Sequence, residues 1–307
     1  MAIQHIQGKR RKELLFYVIM LAFPVLQFSI FYIGVNFNSI LMIFQEYDDI
    51  TLKFSFLPIN RIFQNFSDVF KSLSNEAVFP YALKNSLISY FVSLVAGTGL
   101  ALIFSFYVYK KFPLHGLVKV VLFTPSIISG MVLVSVFKEF VDFVIPGIVK
   151  MVNGKEILGL IANENSVFGT VLFYCIWIGF GGSILLYVGA MNNISESVSE
   201  ACKLDGANLF QEMIYIVFPL IYPTFVTFMV TGVGGIFTNQ MALYSFFGGE
   251  ADVHVQTFGY YMFDLTKDSG EPKFPFLATM GTMMTLIVAP LTFFVKWALE
   301  KVGPSQD

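Results

Sequence analysis

The residues that decide the fold run from Ser195 to Pro219 and read S-E-S-V-S-E-A-C-K-L-D-G-A-N-L-F-Q-E-M-I-Y-I-V-F-P. They form a polar, charged insert between two long apolar runs. Ser195 and Ser197 are of a residue type that caps helices, and Ser197 stands three residues before Glu200, which is the spacing of a reciprocal capping box. Gly206 adopts a positive φ easily and is therefore suited to end a helix. The pattern predicts a short helix, a turn at Gly206 and a second helix.

The second helix is predicted by apolar residues at helical spacing that lead towards Pro219. They are Leu209, Phe210, Met213, Ile214 and Val217. Residues at this spacing share one face of a helix, so a single apolar stripe is expected before the next apolar run begins. A capped amphipathic helix on a membrane surface would give the same pattern, and this segment alone leaves that alternative open.

The composition is that of an integral membrane protein. Of the 307 residues, 56% are apolar and only 13% are charged, and the mean hydropathy is +0.70. The net charge of −2 leaves no basic excess, which excludes a nucleic-acid partner. Cys175 and Cys202 lie on different predicted elements, and His5, His115 and His254 fall in predicted loops or tails. We therefore expect no disulfide framework, no metal site and no cofactor.

Six apolar runs of 18 to 25 residues are each long enough to cross a hydrocarbon core of about 30 Å. They are Leu14 to Phe37, Ser86 to Tyr109, Val120 to Phe137, Val167 to Met191, Met213 to Phe237 and Phe274 to Val295. The runs predict an all-α integral membrane protein with six transmembrane helices. The insert at 195–219 forms a cytoplasmic helix-Gly-helix loop between helices 4 and 5.

The distribution of basic residues predicts the membrane topology, and the order of the apolar runs divides the chain into two parts. Predicted inner segments hold 10 basic residues in 60 positions, and predicted outer segments hold 9 in 104, so both termini are expected inside the cell. Residues 1–84 comprise a basic N-terminal tail, the first transmembrane helix and an outer loop. Within that loop, the aromatic-rich residues 46–84 predict one or two helices lying along the membrane interface. Residues 85–307 form the five-helix core.

The insert resembles the E-A-A loop of the membrane subunits of binding-protein-dependent ABC importers, and we call residues 195–219 the E-A-A segment. The family pattern is E-A-A, then a glycine, then I-x-L-P, and the matching residues here are Glu200, Ala201, Cys202, Gly206 and Ile216-Val217-Phe218-Pro219. Cys202 replaces the second alanine and Phe218 replaces the leucine. Asp205-Gly206-Ala207 matches the D-G-A of the carbohydrate permease branch. Weaker support comes from Phe123-Thr124-Pro125, which resembles an F-x-P segment of sugar permeases.

The resemblance implies a type I, MetI-like permease subunit in the bacterial cell membrane, working with several partners. These would be a second homologous permease subunit, a cytoplasmic ABC ATPase dimer and an extracytoplasmic solute-binding protein. The E-A-A segment would couple the permease to the ATPase. The residues implied in coupling are Glu200, Ala201, Cys202, Asp205, Gly206 and Ala207.

The sequence itself also points to an external source of energy. It contains no G-x-x-x-x-G-K-[ST] phosphate-binding loop, and the apolar runs hold no charged residue apart from Lys119 at the edge of the third. Ion-coupled carriers usually keep charged groups within the membrane. We therefore expect a non-catalytic transport subunit whose partner hydrolyses ATP.

In this family the solute lies between the helix before the E-A-A loop and the helix after it. The candidate substrate-binding residues are Trp177, Gly179, Ser183, Thr231, Gly235 and Asn239. Absence of charge there favours a neutral solute such as a sugar or oligosaccharide, with Trp177 stacking on a sugar ring. A packing or interfacial role for Trp177 remains open. Three alternative functions also remain open: a permease of this fold for a non-sugar solute, an ion-coupled carrier or channel, and a non-transporting scaffold.

Overall fold

A computed structural model describes residues 2–304, with side chains described for residues 13–267 and 270–304. The basic side chains of Lys9 to Lys12 and the last three residues of the predicted inner C-terminal segment lie outside this description. The described chain is mostly helical, and its contacts divide it into two units. The smaller unit comprises the residues up to Ser74 and Thr266–Met283, and the larger comprises Asn75–Leu265 and the residues from Met284 onwards.

The smaller unit begins with a long apolar helix and continues into a hairpin. Its elements are α1 (Ala2–Gln27), a π-helical turn (Phe28–Gly34), α2 (Val35–Met42), β1 (Gln45–Asp48), β2 (Lys53–Phe56), a 3₁₀ turn (Ile59–Arg61) and α3 (Gln64–Asn75). A second 3₁₀ turn (Glu271–Lys273) precedes α15 (Phe274–Val302), which continues into the larger unit.

The β-hairpin corrects the expectation that residues 46–84 contain only helices and loop. β1 and β2 pair antiparallel, with Gln45 opposite Phe56 and Asp48 opposite Lys53. At the turn, Asp48 accepts hydrogen bonds from the Thr51 hydroxyl at 2.7 Å and from the Ile50 N–H at 2.9 Å. These two hydrogen bonds also lower the pKa of the Asp48 carboxyl, since both favour the ionised form. One of the helices predicted in this segment is present as α3, and its position along the membrane interface stays a prediction.

The larger unit contains the remaining helices, except for the end of the last one from Thr266 onwards, which belongs to the smaller unit. In chain order they are α4 (Val78–Val92), α5 (Thr98–Tyr109), α6 (His115–Phe123), α7 (Gly130–Glu139), α8 (Ile145–Asn153), α9 (Val167–Asn192), α10 (Glu196–Leu204), α11 (Leu209–Gln211), α12 (Phe218–Gly234), α13 (Leu243–Phe247) and α14 (Phe258–Ser269). π-Helical turns at Ser93–Gly97, Phe140–Val144 and Glu212–Val217 join α4 to α5, α7 to α8 and α11 to α12.

Five continuous helices among the described residues are long and apolar enough to span a membrane. They are Glu13–Met42, Val78–Tyr109, Val167–Asn192, Leu209–Gly234 and Glu271–Val302. Each contains one of the predicted runs or most of it. The third predicted run, Val120 to Phe137, is not one straight helix. It is divided between His115–Ser126 and Gly130–Asn153, which are bent by 102°.

The break in the third run has a local cause. Pro125 lies in a 3₁₀ turn, Thr124–Ser126, that ends α6. Proline has no N–H for the helical ladder, and its ring restricts the residue before it, so a helix tends to stop here. Counting the bent pair as one span gives the six predicted transmembrane segments, and leaving it out gives five.

Helices α6 and α9 approach closely at Gly181. A Cβ atom added to Gly181 would stand 2.1 Å from the carbonyl oxygen of Leu122 and 3.1 Å from its carbon, both backbone atoms. Side-chain rotation cannot relieve such a clash. The glycine therefore permits the packing of the two helices.

We expect Gly181→Ala to destabilise the protein by about 1–3 kcal/mol, because one helix must move away from the other. The adjacent Gly182→Ala is a matched control, since a Cβ there meets no atom within 4 Å. That control should be neutral or slightly stabilising, because alanine favours a helix over glycine. Thermal unfolding in detergent, followed by circular dichroism, measures both. Equal stability of the two variants would contradict the close contact at Gly181.

Candidate functional site

A cavity of about 320 Å³ lies within the larger unit, between helices that flank the E-A-A segment and the helix pair α4–α5. Its polar lining consists of hydroxyl and amide side chains. They are Ser89, Tyr90, Ser93, Thr98, Ser183, Tyr187 and Asn239. Apolar residues and glycines complete the wall, and none of the described lining residues is Asp, Glu, Lys or Arg. The cavity thus offers neutral hydrogen-bonding groups on an apolar surface, which suits an uncharged polar molecule.

The structure brings together four of the six predicted substrate residues. Gly179 and Ser183 line the cavity from α9, and Gly235 and Asn239 line it from the turn after α12. The side-chain oxygen of Asn239 accepts a hydrogen bond from the Met241 N–H at 2.8 Å. This bond fixes the orientation of the amide and leaves its NH₂ group as a donor.

The other two predicted residues lie elsewhere. Trp177 is absent from the described lining and is half-buried among other aromatic side chains, with ring centroids 6.2 Å from Phe137 and 6.4 Å from Tyr174. Thr231 is also absent from this lining and is exposed, and its hydroxyl donates to the Thr227 carbonyl at 2.8 Å. In both cases the side chain is directed by its position on the helix, since Trp177 is two residues from Gly179 and so projects from another face.

Sequence reasoning missed Tyr187, which lines the cavity from α9 and is only 1% exposed. Its hydroxyl is buried and has no hydrogen-bond partner among the described residues. A signal for Tyr187 was available, because Cys175, Gly179, Ser183 and Tyr187 are spaced four residues apart and all four line the cavity. That spacing places side chains on one helix face.

The E-A-A segment has the predicted helix-Gly-helix geometry. α10 ends before Gly206, which has a φ of +76°, and the Gly206 N–H donates to the Lys203 carbonyl at 3.1 Å. The prediction of a helix-ending glycine at this position is therefore confirmed. The Ala207 N–H donates to the Cys202 carbonyl at 3.2 Å, which closes the turn.

The predicted capping box at Ser197 and Glu200 was wrong. α10 begins at Glu196, so Ser197 lies inside the first turn. Ser195 at the N-cap makes no capping bond to the helix backbone, and its hydroxyl lies 3.0 Å from the Ser197 hydroxyl instead. The capping box belongs to α11 instead. The Asn208 side chain accepts from the Gln211 N–H, and the Gln211 side chain accepts from the Asn208 N–H, both at 2.9 Å.

The predicted apolar stripe after Gly206 was also wrong as a single face. Val217 is 1% exposed, whereas Phe210 is 71% exposed. The π-helical turn Glu212–Val217 lies between them and widens the helix by about one residue per turn, which rotates the later residues away from the earlier ones. Leu209 and Phe210 thus remain on the surface of the E-A-A segment.

Most of the residues predicted to couple to a partner are on the surface. Glu200, Ala201, Asp205 and Gly206 are exposed, and Ala207 is half-buried. Cys202 is an exception, with only 6% of its surface exposed. Its small side chain fills space inside this chain, so the geometry does not place it on a surface open to a partner.

A buried ion pair holds the E-A-A segment and was not predicted. The Lys110 ammonium lies 2.7 and 2.8 Å from the two carboxylate oxygens of Glu212, and it donates to the Ser199 hydroxyl at 3.1 Å. Ser199 in turn donates to Glu212 at 2.9 Å. The side chains of Lys110 and Glu212 are only 11% and 4% exposed. Nothing in the sequence marks this pair, because the partners are 102 residues apart.

The family model for the binding-protein-dependent transport system inner membrane component matches residues 93–306, which is well over half of the chain. The chain belongs to this family. The predicted membership in the membrane subunits of binding-protein-dependent ABC importers is thereby confirmed. This inner membrane component is a multi-pass membrane protein and a transport permease subunit.

Two curated relatives extend the match. This inner membrane component is 26% identical over 240 residues to the lactose transport system permease protein LacF of Rhizobium radiobacter, covering 75% of this chain and 78% of LacF. It is 23% identical over 207 residues to the multiple sugar-binding transport system permease protein MsmF of Streptococcus mutans, covering 65% and 66% of the two chains.

Solved structures confirm the predicted fold. A chain of a bacterial ABC transporter involved in the import of the acidic polysaccharide alginate superposes with a TM-score of 0.76 at 16% identity, covering 97% of this chain and 99% of that one. A second structure, of the alginate transporter in complex with an alginate pentasaccharide-bound periplasmic protein, gives a TM-score of 0.74 at 15% identity, covering 94% of each chain. At these identities the likeness concerns the fold alone.

Proposed function

We propose that this inner membrane component forms the translocation path of an ATP-driven importer for a neutral sugar or oligosaccharide. The observation that carries the proposal is the cavity of about 320 Å³, whose described lining holds hydroxyl and amide groups but no charge. Sugars present many neutral hydroxyls and apolar ring faces, so they match such a lining. The names of the relatives, which transport lactose or multiple sugars, support the same solute class.

The proposed substrate-binding residues are those that the structure places on the cavity wall. Ser183 and Asn239 supply polar groups, and Gly179 and Gly235 leave room for the solute. Tyr90 of α4 adds an aromatic ring to the wall, near Gly232. Trp177 is proposed as a packing residue, because its neighbours are Phe137 and Tyr174.

The size of the cavity indicates how an oligosaccharide would pass. A volume of about 320 Å³ lies near the lower end of the range of roughly 300–1,000 Å³ for small-molecule sites. At about 30 Å³ for each water molecule, it corresponds to some ten waters. A longer chain would thread through the cavity or occupy a wider path shared with a partner subunit.

The E-A-A segment is the proposed contact with a cytoplasmic ABC ATPase dimer. Glu200 and Asp205 present carboxylates for basic groups on the partner, and Ala201 permits close approach. Phe210 and Leu204 add apolar surface, with 71% and 88% exposed. Exposed apolar groups beside charged ones are typical of protein contact surfaces. This assignment places the segment, and both chain termini, on the cytoplasmic side.

Two further partners complete the proposal. A second homologous permease subunit would share the translocation path. In support, none of the most apolar stretch of the helix Glu13–Met42 is buried by this chain, which leaves its surface available to another subunit or to lipid. A solute-binding protein would dock on the outer segments. The family name itself supports this partner.

The test is reconstitution of the chain with its candidate ATPase, partner permease and binding protein in proteoliposomes, with ATP enclosed on the ATPase side. Uptake of a labelled panel of neutral sugars, uronates and amino acids is measured with ion gradients collapsed by ionophores. We expect ATP-dependent uptake of a neutral sugar, together with stimulated ATP hydrolysis when the binding protein is loaded. In a second set of vesicles without ATP or ionophores, an ion gradient is imposed, and uptake there would contradict the importer. Preference for a charged solute would contradict the solute class.

A further inference from the structure

Three polar side chains from separate elements meet at the buried ion pair. Lys110 stands at the C-terminus of α5, Ser199 lies on α10, and Glu212 opens the π-helical turn before α12. Each pair among the three is within hydrogen-bond distance, from 2.7 to 3.1 Å. The three residues form a closed triangle.

Because these charges are buried, we expect their contact to fix the relative position of the three elements more than to stabilise the fold. A buried ion pair offers little net stabilisation, because two charges lose their hydration, yet removal of one partner leaves an uncompensated charge. Here the ammonium reaches both carboxylate oxygens, and its place at the C-terminus of α5 is favourable for a positive charge. Such a contact resists separation and fixes the relative position of the elements it joins.

The joined elements differ in how the chain connects them. α10 is linked by short connections to α9 and, through α11, to α12, but α5 is distant in sequence. α5 supplies Thr98 and Ala101 to the cavity wall. α5 also packs against α9 through apolar side chains, and the Ser105 hydroxyl donates to the Ile184 carbonyl at 3.3 Å. The ion pair is thus a direct polar link between the E-A-A segment and the cavity wall formed by α5.

We propose that Lys110, Ser199 and Glu212 are positioning residues that transmit movement of α10 to the α5 wall of the cavity. This inference rests on the proposed function, since movement of α10 is attributed to ATPase closure. Apolar packing already joins α5 to α9, and the ion pair adds a direct connection between α5 and α10. Without that connection, α5 would follow α10 only indirectly, through α9. The complex would then hydrolyse ATP without moving its solute efficiently.

The test uses the reconstituted complex with Lys110→Met, Glu212→Gln and the exchanged pair Lys110→Glu with Glu212→Lys. We expect both single variants to lower solute uptake per ATP hydrolysed by at least about tenfold, within the range of typical coupling energies. Basal ATP hydrolysis should persist. The exchanged pair should restore a substantial part of the coupling, which a general loss of folding would not allow.

Lys150→Met is the matched control. Lys150 and Glu156 form an ion pair at 2.6 Å, but their side chains are 62% and 77% exposed, so loss of that pair should leave coupling unchanged. Normal coupling in Lys110→Met and Glu212→Gln would overturn the inference. If those variants fail to assemble, Ser199→Ala decides, because it keeps both charges. Reduced uptake per ATP in Ser199→Ala supports the link, and an unchanged ratio overturns it.

Failure of this inference is distinguishable from failure of the proposed function. If the native complex imports a sugar with ATP and the ion-pair variants do so with equal efficiency, only the inference fails. If the native complex shows no ATP-dependent sugar uptake, the proposed function fails before any variant is compared.

Discussion

Replacing Gly206 with proline is expected to abolish ATP-driven uptake while the chain still inserts into the membrane. Gly206 has a φ of +76°, and proline is confined to about −65°, so the turn cannot form with proline. Proline also removes the N–H that donates to Lys203. α10 would therefore leave its place relative to α11, and the exposed carboxylates of Glu200 and Asp205 would no longer face an ATPase together. The measurement is uptake and stimulated ATP hydrolysis in proteoliposomes, with a fall of at least about tenfold in both.

Gly154→Pro provides a control with the same backbone chemistry. Gly154 ends α8 with a φ of +65°, and its N–H donates to the Lys150 carbonyl at 2.9 Å. Proline there breaks an equivalent helix end far from the E-A-A segment in sequence. In the Gly154→Pro complex, loaded binding protein should still stimulate ATP hydrolysis. Equal loss in both variants would indicate general misfolding, and normal uptake in Gly206→Pro would contradict the coupling role.

Membrane spans were predictable because they depend on hydrophobicity summed over a continuous run of residues. A run such as Val167 to Met191 must be helical in a bilayer, since no water is available to satisfy its backbone groups. Length and apolar character suffice for that inference, and the structure has a helix at Val167–Asn192. The position of Gly206 was predictable for a similar local reason. Few residue types other than glycine reach its φ without strain.

Features that depend on tertiary contacts were not predictable. The pairing of Lys110 was not predictable, because its partner Glu212 belongs to another segment and a pair of this kind has no local pattern. The bend after Phe123 was missed, although Pro125 was recognised, because a proline in a membrane helix produces either a kink or a complete break. Here the chain after Pro125 turns away, and the two helical segments are bent by 102°.

The hairpin and Trp177 show that a short local pattern does not decide where a segment or a side chain lies in the fold. Lys53 to Phe56 alternate between polar and aromatic residues, which is a strand pattern, but four residues are too few to outweigh a helical reading of the surrounding aromatic segment. The hydrogen bonds that Asp48 accepts from Ile50 and Thr51 stabilise the turn that joins the two strands. Trp177 lies outside the described lining of the cavity, and its role at a substrate site stays a prediction. Residues four apart from Gly179 were the better guide to the cavity.

Filling the cavity from Gly179 is expected to block transport without preventing assembly. Gly179 lines the cavity, and a Cβ atom there meets nothing within 4 Å, so the backbone accepts a larger residue. In Gly179→Leu, a bulky branched side chain would occupy space that the solute needs. We expect uptake to fall by at least about tenfold, since small changes of volume in a tight site have effects of this size. Basal ATP hydrolysis should continue because the E-A-A segment is unchanged.

Gly169→Leu is the matched control for this prediction, because it makes the same substitution in the same helix. Gly169 also has no atom within 4 Å of an added Cβ, but it is absent from the described cavity lining. Its variant should transport normally, which would assign the loss in Gly179→Leu to the cavity and not to the insertion of a leucine into α9. If both variants transport like the native chain, the solute passes elsewhere. If both fail while remaining assembled, α9 itself is intolerant of added volume and the cavity has no special role.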